Sequence, residues 1–179
     1  MFQPRKRGQF FGADAILAFL LVLFALVAAG VATESLDSQI STTEITHRLT
    51  ERATDSLNQL IRTPGKPADW NLLTTVDNTT IDSLGLSHEA NLLDPQKVAR
   101  FFNLTNSTDG FEQACVLLAI REPGYNFTLT LTYANNTVAY TTLYPAPVQS
   151  HIAASIERVA MLNHESVRAR LTLWIEPIQ

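Results

Sequence analysis

Hydrophobic positions fall along the chain in three regimes. From Phe10 to Ala32, 20 of 23 residues are hydrophobic, and only Gly12, Asp14 and Gly30 interrupt the run. Its 18 residues from Ala15 to Ala32 carry no charge; at 1.5 Å per residue they would make about 27 Å of helix, close to the thickness of a hydrocarbon core. This predicts a transmembrane helix over residues 9–33. Residues 34–62 contain neither Gly nor Pro. Within them Leu36, Ile40, Ile45, Leu49, Ala53, Leu57 and Leu60 recur at three- to five-residue spacing, and Glu44, Arg48, Glu51, Arg52 and Asp55 lie between them. That is the signature of an amphipathic helix, in which Glu44 and Arg48 can pair one turn apart.

Thr63-Pro64-Gly65-Lys66-Pro67 ends the helical pattern, because proline removes a backbone donor and clashes with the preceding turn. Trp70 follows as the anchor of the next loop. Residues 71–94 read as loop, and Asp94-Pro95 places a capping carboxylate and a first-turn proline ahead of a short helix, Gln96–Phe102. Beyond that the period becomes two. Phe127, Leu129, Leu131 and Tyr133 alternate with threonines, and Val167, Ala169, Leu171, Leu173 and Ile175 alternate with Arg168, Arg170, Thr172 and Trp174. Both are half-buried strands. Cys115–Ile120 reads as a buried strand, Val138–Tyr144 completes a meander, and residues 152–162 fit either helix or strand. The expected fold is α+β: a long N-terminal transmembrane and amphipathic helix followed by a small antiparallel β-sheet head of four or five strands.

Composition sharpens this division. The whole chain is 46% hydrophobic, but outside Phe10–Ala32 the figure is about 40%. Arg5, Lys6 and Arg7 make residues 1–8 a basic leader, whereas the net charge of −4 leaves the rest acidic. Basic residues ahead of the apolar run and Glu34 and Asp37 behind it put the N-terminus in the cytoplasm and residues 63–179 outside, as an extracytoplasmic head. An acidic chain without a basic patch is no nucleic-acid binder. A cleaved secretory signal is the competing reading; the apolar run exceeds the usual signal core, and no turn follows Ala32.

Arg5-Lys6-Arg7-Gly8-Gln9, followed by Phe10-Phe11-Gly12-Ala13-Asp14 and the apolar run, resembles the leader of archaeal type IV pilin-like proteins with a class III signal peptide. The segments Pro64–Trp70, Leu84-Gly85-Leu86 and Leu92–Val98 look like the region after the stalk in that group. The resemblance implies cleavage between Gly8 and Gln9 by a prepilin peptidase, with the hydrophobic segment kept on the mature chain. It also implies an assembly role for Asp14, paired with the new N-terminal amine of a neighbouring subunit. The residues by themselves allow another placement for Asp14, solvated beside Arg5–Arg7 at the start of the helix.

Five of the ten asparagines, Asn78, Asn103, Asn106, Asn126 and Asn135, begin an Asn-x-Ser/Thr triplet, against about 1.7 expected by chance from the Ser and Thr content. They are candidate N-glycosylation sites in the part of the chain assigned to the outside. Cys115 is the sole cysteine, which excludes an intrachain disulfide. His47, His88, His151 and His164 show no ligand spacing, so no metal site, cofactor or catalytic residue is assigned.

The expected function is therefore structural: a major or minor subunit of an archaeal type IV pilus-like surface filament. Its partners would be the membrane, other copies of itself or related subunits, the prepilin peptidase and the assembly platform. The alternative is a single-pass, membrane-anchored extracytoplasmic binding or adhesion protein that does not polymerise. A tethered hydrolase would need converging polar residues that the sequence does not display.

Overall fold

The computed structural model describes residues 10–120, 124–143 and 152–175, except the side chains of residues 10–14 and 29–42. The chain divides into two units, Met1–Glu44 and Ile45–Gln179. Helix α1 spans Phe10–Arg62. The basic leader through Gly8, Gln9, the side chains of Asp14, Glu34, Leu36, Asp37 and Ile40, and also Tyr144 and His151, lie outside the described residues.

In the second unit α1 is followed by β1 (Gly65–Lys66), a 3-10 turn (Trp70–Leu72), β2 (Ser83–Leu84), β3 (Ser87–Glu89) and β4 (Leu92–Leu93). Helices α2 (Pro95–Leu104) and α3 (Thr108–Leu117) come next. Strands β5 (Tyr125–Tyr133), β6 (Val138–Thr141), β7 (Ala153–Leu162) and β8 (Glu165–Ile175) complete the fold. Strands β1 and β2 form a small ribbon, and the other six form one sheet in the order β3-β4-β7-β8-β5-β6.

Three expectations are corrected. The head is not a small antiparallel sheet of four or five strands: the sheet has six and is mixed, since β4 runs parallel to β7. Nor is the transmembrane helix over residues 9–33 found, because among the described residues no helix is long and apolar enough to cross a membrane. The apolar stretch with described side chains, residues 15–28, is about 21 Å of helix, short of a core of about 30 Å. Cys115–Ile120 is not a strand either. Cys115 lies in α3, whose N-cap Ser107 accepts from the Gly110 N–H at 3.2 Å. Six apolar residues in a row carry no period that separates helix from strand.

The core of the second unit is built where the periods put it. Leu49, Ala53, Leu57 and Leu60 are fully buried, as are Phe127, Leu131, Val167, Ala169, Leu171 and Leu173. Strand β5 pairs with β8 in the register Phe127↔Leu173, Leu129↔Leu171 and Leu131↔Ala169, so both buried rows share one face. Phe111 of α3 stacks on Phe127 with centroids 4.7 Å apart, and Phe101 of α2 meets the same ring at 6.4 Å. The opposite face mixes polar side chains with exposed Val159 and Met161 and buried Trp174. There Glu157 takes a two-pronged contact from Arg170 at 2.8 and 3.0 Å, and Thr130 and Thr141 share a hydroxyl bond.

The end of α1 is satisfied by the loop that follows. Leu86 donates its N–H to Leu60 O at 2.7 Å, Ser87 to Thr63 O at 3.2 Å and Asn91 to Ile61 O at 2.8 Å, occupying carbonyls that a helix terminus leaves without partners. Trp70 is fully buried and donates Nε1–H to Gly85 O at 2.8 Å. Lys97 lies buried near the boundary, its Nζ donating to Pro64 O at 2.8 Å and Ser87 O at 3.3 Å. Burial pulls its pKa below the ordinary lysine value, against the opposing pull of Asp94 and Asp69.

Candidate functional site

The described side chains of the first unit are all apolar from Ala15 to Ala28 and all exposed. Ten of them are large, Ile16, Leu17, Phe19, Leu20, Leu21, Val22, Leu23, Phe24, Leu26 and Val27, with fractional exposures from 42% to 74%. At about 100° per residue these ten point to every side of the helix except one strip, which Ala18 and Ala25 fill. A helix that packs on one core shows a polar face opposite its apolar one, and this segment has none. Each large side chain gains about 1.5–3 kcal/mol when fully removed from water. One flat partner cannot cover such a surface; an enclosing set of neighbours can.

The five asparagine triplets separate by structure. Asn78 is exposed in a turn that Asp77 organises, its Oδ1 accepting from the N–H groups of Thr79 and Thr80, both at 2.9 Å. The Thr79 hydroxyl, donating to the same oxygen at 2.6 Å, is the main reason the Asp77 carboxyl is held below its usual pKa. Asn106 is exposed between α2 and α3, and Asn135 is exposed in the β5–β6 turn, where its Oδ1 accepts from the Thr137 N–H at 2.9 Å. Asn103 is exposed on α2, but its triplet ends in fully buried Thr105, whose hydroxyl donates to Phe101 O and Phe102 O. Asn126 is half-buried on β5 opposite Trp174, and the hydroxyl oxygen of Thr128 is buried.

Cys115 is buried in α3, and burial pushes its thiol pKa up to about 12, with Glu112 adding to the rise. Among the described residues no group of three or more His, Cys, Asp or Glu could hold a metal ion. One gathering of polar side chains escapes sequence reasoning: His88, Asp94 and Gln96 meet Asn163 and His164 around a cleft. The available signal was Asn163-His164 between two alternating runs, a two-residue hairpin turn. Compared with protein-family models, with curated proteins and with solved structures, the chain matches none.

Proposed function

We propose that the protein is a subunit of a type IV pilus-like surface filament, assembled through the apolar segment around Ala15–Ala28. The observation that carries this reading is the ring of ten exposed large hydrophobic side chains on one helix. Monomeric soluble proteins rarely expose contiguous apolar patches above a few hundred Å². In a filament the segment is enclosed by copies of itself. The basic leader Arg5-Lys6-Arg7-Gly8 ahead of it supports processing between Gly8 and Gln9 by a prepilin peptidase, which leaves the segment on the mature chain. The second unit faces outward and carries the exposed asparagine triplets.

Mass spectrometry of the mature protein tests this. The expected N-terminus is Gln9 with Phe10–Ala32 retained, and Gly8→Val should accumulate as precursor and remove the filaments. A mature start near residue 33 would refute the assignment and favour a secreted protein. An uncut chain without filaments, unaffected by Gly8→Val, would favour the anchored binding protein instead.

A further inference from the structure

A cleft of about 540 Å³ opens beside β4, where the start of α2 meets the β7–β8 turn; it is lined by His88, Leu92, Asp94, Gln96, Asn163 and His164, with Pro95 on its wall. The volume lies within the range of about 300–1,000 Å³ typical of small-molecule sites. The parallel strand pair builds it. Leu92 and Leu93 oppose Met161 and Leu162, and the Met161 N–H donates to Asn91 O at 2.8 Å. Segments remote in sequence are thereby held face to face on paired backbone.

Two details make the walls unusual. Asp94 caps α2 through Oδ1 alone, accepting from the N–H groups of Gln96 at 2.8 Å and Lys97 at 3.3 Å, so Oδ2 takes no part in the cap. Asn163 and His164, at φ 53° and 67°, form the two-residue turn between paired Leu162 and Glu165. Such a turn favours asparagine followed by glycine. His164 occupies the glycine position in the left-handed region, where a side chain is disfavoured. The turn thereby fixes the backbone of both residues and sets them on the wall of the cleft.

We propose that this cleft binds a neutral saccharide of one or two hexose units. Neither Lys nor Arg lines it, and Asp94 does, so phosphate, sulfate and carboxylate ligands meet a carboxylate on the wall and no basic side chain with which to pair there. The carboxamides of Gln96 and Asn163 and the two imidazoles both donate and accept, and the carboxylate accepts, which matches the paired donor and acceptor character of vicinal hydroxyls. Leu92, 36% exposed, and Pro95 give the apolar patch on which the C–H face of a pyranose ring rests.

Saturation-transfer NMR of the full chain tests the proposal, in a detergent without a sugar headgroup, with lactose, maltose and cellobiose as probes and glucose 6-phosphate and glucuronate as anionic comparators. At least one neutral disaccharide should give transfer signals, weakened about tenfold or more in Gln96→Ala and in His164→Gly. The glycine variant should melt at or above the wild-type temperature, which separates lost binding from lost fold. No signal from any neutral disaccharide, signals unchanged in both variants, or binding of the anionic probes alone would overturn the proposal. So would a lower melting temperature for His164→Gly, since the turn would then not be strained by its histidine.

Discussion

Cys115 shows how burial sets chemistry at the scale of one residue. Its thiol keeps its proton in the fold up to about pH 12, whereas an unfolded thiol ionises near 9.0. Native protein at pH 8 should therefore resist alkylation by iodoacetamide and react fully once unfolded in guanidinium, as read by mass spectrometry. Between these two pKa values the unfolded chain releases the proton while the native chain retains it, so the thiol's contribution to stability is present below about 9 and falls as pH rises toward about 12. Cys115→Ala should lose that part of the alkaline slope in pH-dependent denaturation. Gly65 makes a different demand. At φ 83°, an added Cβ would lie 2.6 Å from Trp70 Cδ1 and 2.9 Å from Gly85 N. Gly65→Ala should cost about 2–4 kcal/mol, through the left-handed backbone and the displaced indole, and lower the melting temperature.

At the scale of elements, what was legible in the sequence followed from periodicity and capping. The alternation in β5 and β8 corresponds to their buried rows, and the stripe Leu49, Ala53, Leu57 and Leu60 is fully buried. Asp94-Pro95 starts α2 as its cap chemistry demands. Cys115–Ile120 reads as a strand because an unbroken apolar run lacks a period, whereas the Ser107 cap starts the helix that carries Cys115. Strands β2, β3 and β4, of two or three residues each, are too short to show alternation. The parallel pairing of β4 with β7 joins distant segments over only two residue pairs, too short a stretch for a side-chain pattern to encode. For that reason the apolar segment of the candidate site stood out in the sequence, whereas the cleft did not. The asparagine triplets were visible as motifs, but the buried hydroxyls of Thr105 and Thr128 depend on tertiary packing.

At the scale of the whole molecule, the two units carry different work: residues 15–28 offer apolar surface, and the second unit holds its own core. Assembly and folding should therefore separate under mutation. Leu20→Glu or Phe24→Glu places a charge where copies are proposed to enclose the helix. Each is expected to abolish filaments in electron micrographs of sheared surface material while leaving the melting temperature of the second unit within about 1 °C, because exposed positions outside a core change stability little. A parallel loss of melting temperature would tie the segment to folding instead.

The outer strands of the sheet, β3 and β6, are three and four residues long, but β3 leans on two-residue β4, which lies against ten-residue β7 only at Met161 and Leu162. Unpaired backbone on a long, flat edge templates the addition of foreign strands, and short edges limit that recruitment. In the proposed filament, with many such units at high local density, this hazard would recur at every repeat. From Ala153 to Ala160, β7 has no strand partner on its β4 side among the described residues, and exposed Glu157 and Arg158 in that stretch supply the charges that oppose strand addition there.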